Sequence, residues 1–125
     1  MEKKMNPVVW FEIPVKDLDR AKKFYEGVLD VKLSPNEMGP MKMAFFPMKD
    51  DAMGATGSLV KAPGHKPSDT GTAVYFFVDD IIATLDKIKS KGGKVVLPKT
   101  EIGEWGFMAE FTDTEGNRVA LHSPK

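Results

Sequence analysis

The stretch WFEIPVKDLDRAKKFYEGVLDVKL, residues 10 to 33, determines the fold class of this chain. Its first six residues alternate between two sets, and a period of two is typical of a strand with two different faces. One set is Phe11, Ile13 and Val15, and the other is Trp10, Glu12 and Pro14.

A helix is predicted directly after this strand. Asp17 is a residue type favoured at the N-cap, where its carboxylate can accept a backbone N–H of the first turn. Apolar residues then recur at helical spacing and form one stripe, so we expect an amphipathic helix that packs on a sheet. The stripe consists of Leu18, Ala21, Phe24, Tyr25 and Val28.

The same pattern recurs 63 residues later, in AVYFFVDDIIATLDKIKSKGGKVVL, residues 73 to 97. Asp80 aligns with Asp17, and the alternating Val74, Phe76 and Val78 align with the first strand. A second apolar stripe follows, and Gly92 or Gly93 supplies the left-handed residue that ends a helix. The chain therefore contains two modules built on one plan, which suggests a duplication.

Each helix is followed by segments that favour strands, so each module is predicted to be βαβββ in an α+β fold. Residues 61 to 71, KAPGHKPSDTG, have the proline, glycine and serine content of a connector. We expect one domain over 1–125, with module one at about 6–61, the connector at 62–71 and module two at about 72–124.

Composition excludes several classes of function. Eighteen basic and eighteen acidic residues cancel, which removes the electrostatic argument for a nucleic-acid or membrane partner. The chain has no cysteine, which excludes disulfides and thiolate metal sites, and its start has no secretory h-region. We expect a cytoplasmic protein.

Three stretches together resemble the vicinal oxygen chelate superfamily, which includes glyoxalase I, extradiol dioxygenases and bleomycin-resistance proteins. They are EIPVKDLDRAKKFYEGVLDVKL, YFFVDDIIATLDKIKSKGGKVV and AEFTDTEGNRVALHSP. The resemblance implies two βαβββ modules in tandem that form a curled mixed sheet, with helices outside and a ligand cleft inside. Strand alternation then predicts which side chains face the cleft: Trp10, Glu12, Ala73, Tyr75, Phe77, Ala120 and His122.

Metal-dependent members of this superfamily carry ligands at positions that correspond here to Trp10, Ala73 and Ala120. Neither indole nor methyl has a lone pair for a divalent ion. Subtracting 63 from Ala120 places a fourth position at Gly57, which is also not a ligand. We therefore expect that the metal site has been lost, that no cofactor is bound, and that the cleft holds an organic molecule.

The candidate ligand-binding residues are Trp10, Glu12, Tyr75, Phe77 and His122. The three aromatic residues could stack a planar or cationic molecule, although ordinary core packing is the alternative for each. Glu12 could anchor a cation or act as a base, or it could be a hydrated residue at the cleft mouth. His122 could bind ligand, move a proton or form a displaced metal site with Glu12, or it could be a solvated or structural residue.

The leading hypothesis is a small-molecule-binding protein of the glyoxalase and bleomycin-resistance type that forms a homodimer. Two alternatives remain open: a glyoxalase-type lyase or isomerase, metal-dependent or with Glu12 as base, and a protein that only sequesters a toxic compound. Two turns are predicted in the second module. Residues 113–117, DTEGN, form a hairpin turn, and residues 103–107, GEWGF, form either a mobile flap or a rigid turn.

Overall fold

The computed structural model describes residues 5–125 and confirms two βαβββ modules. The first module comprises β1 (Trp10–Pro14), α1 (Leu18–Leu29), β2 (Ser34–Met38), β3 (Met41–Phe45) and β4 (Thr56–Lys61). The second comprises β5 (Tyr75–Phe77), α2 (Ile81–Ser90), β6 (Lys94–Glu101), a 3-10 turn at Gly103–Trp105, β7 (Phe107–Thr112) and β8 (Arg118–Ser123).

Each module forms its own four-stranded mixed sheet, and the strand order is the same in both. The orders are β1-β4-β3-β2 and β5-β8-β7-β6. In each sheet the first strand runs parallel to the last, while the remaining neighbours are antiparallel. The internal repeat in the sequence is thus a repeat of topology, and the α+β prediction is confirmed.

Both helices begin at the aspartates predicted as N-caps. Asp17 accepts the amide hydrogen of Arg20 and Asp80 accepts that of Ala83, each at 3.0 Å. After α2 the chain turns through Gly92, which has a φ of 100°. Neither helix of the described residues is long and apolar enough to cross a membrane.

The helix-facing sides of the two sheets share one hydrophobic core with both helices. Tyr25 of α1 lies at the centre of this core, where its ring contacts Phe46 of the first module and Phe76 of the second. Phe24, its neighbour on α1, packs on Phe111 of β7 with ring centroids 6.1 Å apart. Because α1 contacts both sheets, the modules are packed together rather than linked loosely.

The turn at 113–117 joins the modules through its polar side chains. Asp113 accepts two amide hydrogens of its own turn and also the Tyr25 hydroxyl hydrogen at 2.6 Å. Asn117 donates to the Pro14 carbonyl at 2.8 Å, at the end of β1. Burial, followed by the negative charge of Asp113, raises the pKa of Tyr25 well above its usual value.

Glu115 completes this junction by inserting its carboxylate at the start of α1. The carboxylate accepts the amide hydrogens of Lys16 and Asp17, at 2.9 and 2.8 Å, and pairs with Arg20 at 2.7 Å. Burial by itself would raise the pKa of Glu115, but these hydrogen bonds outweigh it and lower the pKa to about 2. We call Asp113, Glu115 and Asn117 the module clamp.

The module clamp should make the stability of the protein depend on acid pH. The pKa of Glu115 is lower in the folded chain than in the unfolded one, so its stabilisation is present above about pH 4.5 and is lost as the pH falls towards 2. Converted from that shift, the loss is on the order of 3 kcal/mol. Urea unfolding between pH 5 and pH 2 measures it.

Glu115→Gln should flatten this part of the pH profile, because a glutamine side chain does not titrate. The control is Glu101→Gln on the exposed end of β6, which should leave the profile unchanged. Parallel profiles for wild type and Glu115→Gln would contradict the assignment.

Candidate functional site

We call the side of each sheet that faces away from the helices its cleft face. On the first sheet, Trp10 and Glu12 lie on this face and pair in register with Thr56 and Ser58 of β4. Ile13, which points the other way, is only 3% exposed, so the predicted alternation holds. The two candidate residues of β1 thus lie on one face, two positions apart.

Trp10 is half-buried because it packs edge-on against Phe45 of β3, with ring centroids 5.1 Å apart. It also lines a cavity of about 420 Å³ with the loop that joins β3 to β4. That loop carries Met48 and Met53, whose flexible side chains are exposed at 62% and 99%. The indole therefore forms one wall of a pocket whose opposite wall can adapt.

On the second sheet, the cleft face carries Tyr75, Phe77 and His122. Tyr75 is 52% exposed and Phe77 is 64% exposed, so neither packs in the core of this chain. Phe77 pairs in register with His122, and their rings lie 6.5 Å apart. The structure therefore brings these three candidates together on adjacent strands.

His122 also holds the turn at 103–107. Its Nε2 lies 2.6 Å from the backbone carbonyl oxygen of Trp105, so Nε2 carries the hydrogen and donates it. Nδ1 is left as the ring nitrogen that can meet a ligand. The Trp105 side chain is 72% exposed, so it is not the packed tryptophan of the rigid-turn interpretation. The mobility of this turn stays a prediction.

Within one chain, the candidates form two groups, one on each sheet. Three cavities lined by the described residues contain one candidate each. Phe77 lines a cavity of about 550 Å³, Trp10 lines the cavity of about 420 Å³, and Glu12 lines a cavity of about 50 Å³. The largest is lined mainly by residues of the helix-facing side and the start of α2. The five candidates therefore do not line one of these pockets together.

The strand register corrects the fourth expected metal position. Tyr75 pairs with Ala120, and its equivalent Glu12 pairs with Ser58 rather than with Gly57. Gly57 lies on the helix-facing side, where an added Cβ would collide with the Phe11 backbone and ring. Ser58 is therefore the residue that corresponds to Ala120, and the offset between β4 and β8 is 62 residues rather than 63.

A divalent metal does not fit the four corresponding positions, which are Trp10, Ser58, Ala73 and Ala120. Among these four side chains, only Ser58 and Trp10 carry an oxygen or nitrogen atom. The Ser58 hydroxyl is the single possible ligand, because the indole nitrogen of Trp10 has no available lone pair. Across residues 5–125, no three His, Cys, Asp or Glu side chains come together as a metal-binding group. The Ser58 hydroxyl is buried and forms no hydrogen bond with the described residues.

The sequence pattern did not identify Ser58 or Phe45 as residues of this face. Ser58 pairs with the predicted site residue Glu12 on one side and with Phe45 on the other. Strand alternation could have assigned them to the cleft face once the register was known.

Comparisons with known proteins agree with this geometry. The family model described as the Glyoxalase/Bleomycin resistance protein/Dioxygenase superfamily matches residues 7–121. The lactoylglutathione lyase of Haemophilus influenzae is 36% identical over 84% of this chain and 83% of its own length. The Mycobacterium bovis protein CFP32 is 32% identical over 90% of this chain, which spans only 43% of that longer protein.

One solved structure covers nearly the whole chain. TnmS3, titled an antibiotic binding protein from Streptomyces sp. CB03234, has a TM-score of 0.72 and 25% identity over 99% of this chain and 100% of its own.

Removing the His122 side chain should loosen the turn at 103–107. His122→Ala should increase hydrogen exchange of the Ile102 and Gly106 amides, which bond within this turn, by about two- to tenfold. His65→Ala is the matched control, because His65 lies exposed in the connector. Equal exchange in both variants would show that the contact with Trp105 does not hold the turn.

Proposed function

Since this chain belongs to the glyoxalase/bleomycin resistance protein/dioxygenase superfamily, we propose that it binds a small organic molecule in a cleft that has lost the metal site. The observation that supports this most strongly is the exposure of Tyr75 and Phe77, at 52% and 64%, side by side on one strand. Adjacent exposed aromatic rings mark surfaces that meet a ligand or a partner.

The cleft is proposed to form between two copies of the chain. The two modules share a core through their helix-facing sides, so both cleft faces point away from that core. In a two-fold dimer, the face of Trp10 and Glu12 on one protomer would meet the face of Tyr75, Phe77 and His122 on its partner, and two equivalent clefts would result. The modules at 6–61 and 72–124 would then act as the two halves of one domain.

Each candidate residue has a role in this cleft. Trp10, Tyr75 and Phe77 provide flat apolar walls for a planar ligand. Glu12 is exposed and offers a carboxylate that accepts hydrogen bonds or pairs with a cation. The His122 ring lies beside that of Phe77, and its Nδ1 makes no hydrogen bond with residues 5–125.

The likeness to TnmS3, which is titled an antibiotic binding protein, supports binding as the whole function. A protein of that kind would sequester a compound without turning it over. Stoichiometric protection of cells without any product would identify sequestration.

Trp10→Ala and Phe77→Ala should each weaken the binding of 2-naphthol, used as an aromatic probe, by about tenfold. Titration calorimetry measures the affinity. Ile82→Ala is the control, because Ile82 is an exposed apolar residue on the outer side of α2. Binding that is unaffected by both aromatic variants, or affected equally by Ile82→Ala, would contradict the proposed cleft.

Light scattering should give twice the chain mass of 13.8 kDa. Phe77→Lys should reduce that mass, because a charge on the cleft face would be buried against the partner. A mass of one chain at every concentration would contradict the dimer.

The second candidate is a lyase or isomerase of the glyoxalase type, and the 36% identity to the Haemophilus influenzae lactoylglutathione lyase favours it. Turnover of a 2-oxoaldehyde thiol adduct that is lost on addition of a chelator would establish the metal-dependent form. Turnover that survives a chelator but is abolished by Glu12→Gln, with binding retained, would establish Glu12 as the base.

A further inference from the structure

Four polar side chains surround Ala120 on the cleft face of the second sheet. Tyr75, Ala120 and Glu110 lie in one row across β5, β8 and β7. Arg118 and His122 lie on the same face of β8, two residues before and after Ala120. Ala120 is fully buried among them, and its small methyl group lets the longer side chains approach one another.

Arg118 has donors that residues 5–125 do not satisfy. Its Nη1 lies 3.7 Å from Glu110 Oε1, which is an ion pair but too long for a hydrogen bond. Its Nη2 makes one long contact of 3.5 Å with the Gly71 carbonyl, and its buried Nε has no acceptor among the described residues. Buried donors in native proteins nearly always have a partner, so an acceptor from water or a ligand is expected here.

The charges around Arg118 restrict what that acceptor can be. Glu110 forms an ion pair with the guanidinium, and Glu12 lines the same cavity of about 50 Å³ as Arg118. These two carboxylates and one guanidinium carry a net negative charge, which repels an anionic ligand. A neutral carbonyl oxygen meets no such repulsion.

We propose that Arg118 and Glu110 together bind an amide group of the ligand. An N–H of Arg118 donates to the carbonyl oxygen, and the amide N–H donates to the Glu110 carboxylate. The gap of 3.7 Å between Nη1 and Oε1 lets the adjacent oxygen and nitrogen of one planar amide meet both groups. The inference rests on the proposed cleft, in which Tyr75 would hold the planar body of the same ligand.

The test compares three probes on the full-length protein by titration calorimetry: 2-naphthamide, N,N-dimethyl-2-naphthamide and 2-naphthoate. The primary amide should bind at least about tenfold more tightly than the other two, because one lacks the donor and the other carries a negative charge. The chain has only two arginines, Arg20 and Arg118, so its Nε–H NMR signals can be assigned. The amide should shift the signal of Arg118 and leave that of Arg20, which is paired with Glu115, unchanged.

Two variants change the probe preference in opposite directions. Arg118→Gln should weaken 2-naphthamide by about tenfold. Glu110→Gln should strengthen 2-naphthoate, because it removes the repelling charge, and Glu37→Gln on the exposed strand β2 is its control for the loss of a negative charge. Lys42→Gln on β3 is the corresponding control for Arg118→Gln. A thermal unfolding midpoint equal to that of the wild-type protein shows that each variant retains the fold.

The outcomes separate this inference from the proposed cleft. If the three probes bind equally, or if Arg118→Gln changes none of them, the amide site is wrong while the aromatic cleft stands. If none of the three probes binds, both the amide site and the cleft are wrong.

Discussion

The insertion of Glu115 at the start of α1 is the interaction on which the arrangement of the two modules depends. Its carboxylate is fully buried and accepts the backbone amide hydrogens of Lys16 and Asp17. These residues precede Glu115 by 99 and 98 positions in the chain. A buried carboxylate is tolerated only when it is paired and hydrogen-bonded, and Arg20 together with these amides meets that condition. Because any sliding of one module would leave this charge unpaired, the clamp sets how the modules meet.

This arrangement has a direct consequence for the cleft faces. With the helix-facing sides joined around Tyr25, both cleft faces are turned away from the core, and the aromatic side chains on the second one remain exposed. Exposed rings are stabilised when another surface covers them. In the proposed dimer, a second copy of the chain would cover them with the face that carries Trp10 and Glu12.

Sequence alone predicted the local parts of this structure. Asp17 and Asp80 were identifiable as N-caps because capping is a short-range interaction, and alternation assigned Phe11 and Phe76 to the core side. The turn at 113–117 was recognisable from its residues. Its role as a clamp was not, because the contact partners of Glu115 lie far away in the chain.

The parts that sequence could not predict depend on strand register. The repeat of 63 residues holds for β1 and β5, but β4 and β8 are offset by 62, so Gly57 was assigned in place of Ser58. Glu110 and Arg118 become neighbours only when β7 and β8 are paired. A shift of one residue in register moves a side chain to the opposite face, so alignment by a fixed offset is reliable only where loop lengths match.

We propose that the four positions of the family's metal site have been converted to an organic cleft. Metal analysis of the purified protein without a His tag tests it most directly, followed by titration with nickel, zinc, manganese and iron(II) while tryptophan fluorescence is recorded. We predict no stoichiometric metal and no change in the tryptophan emission, to which Trp10 and Trp105 both contribute, on addition of any of the four ions. One bound ion per chain, with a saturable change in fluorescence, would contradict the account and favour the metal-dependent lyase.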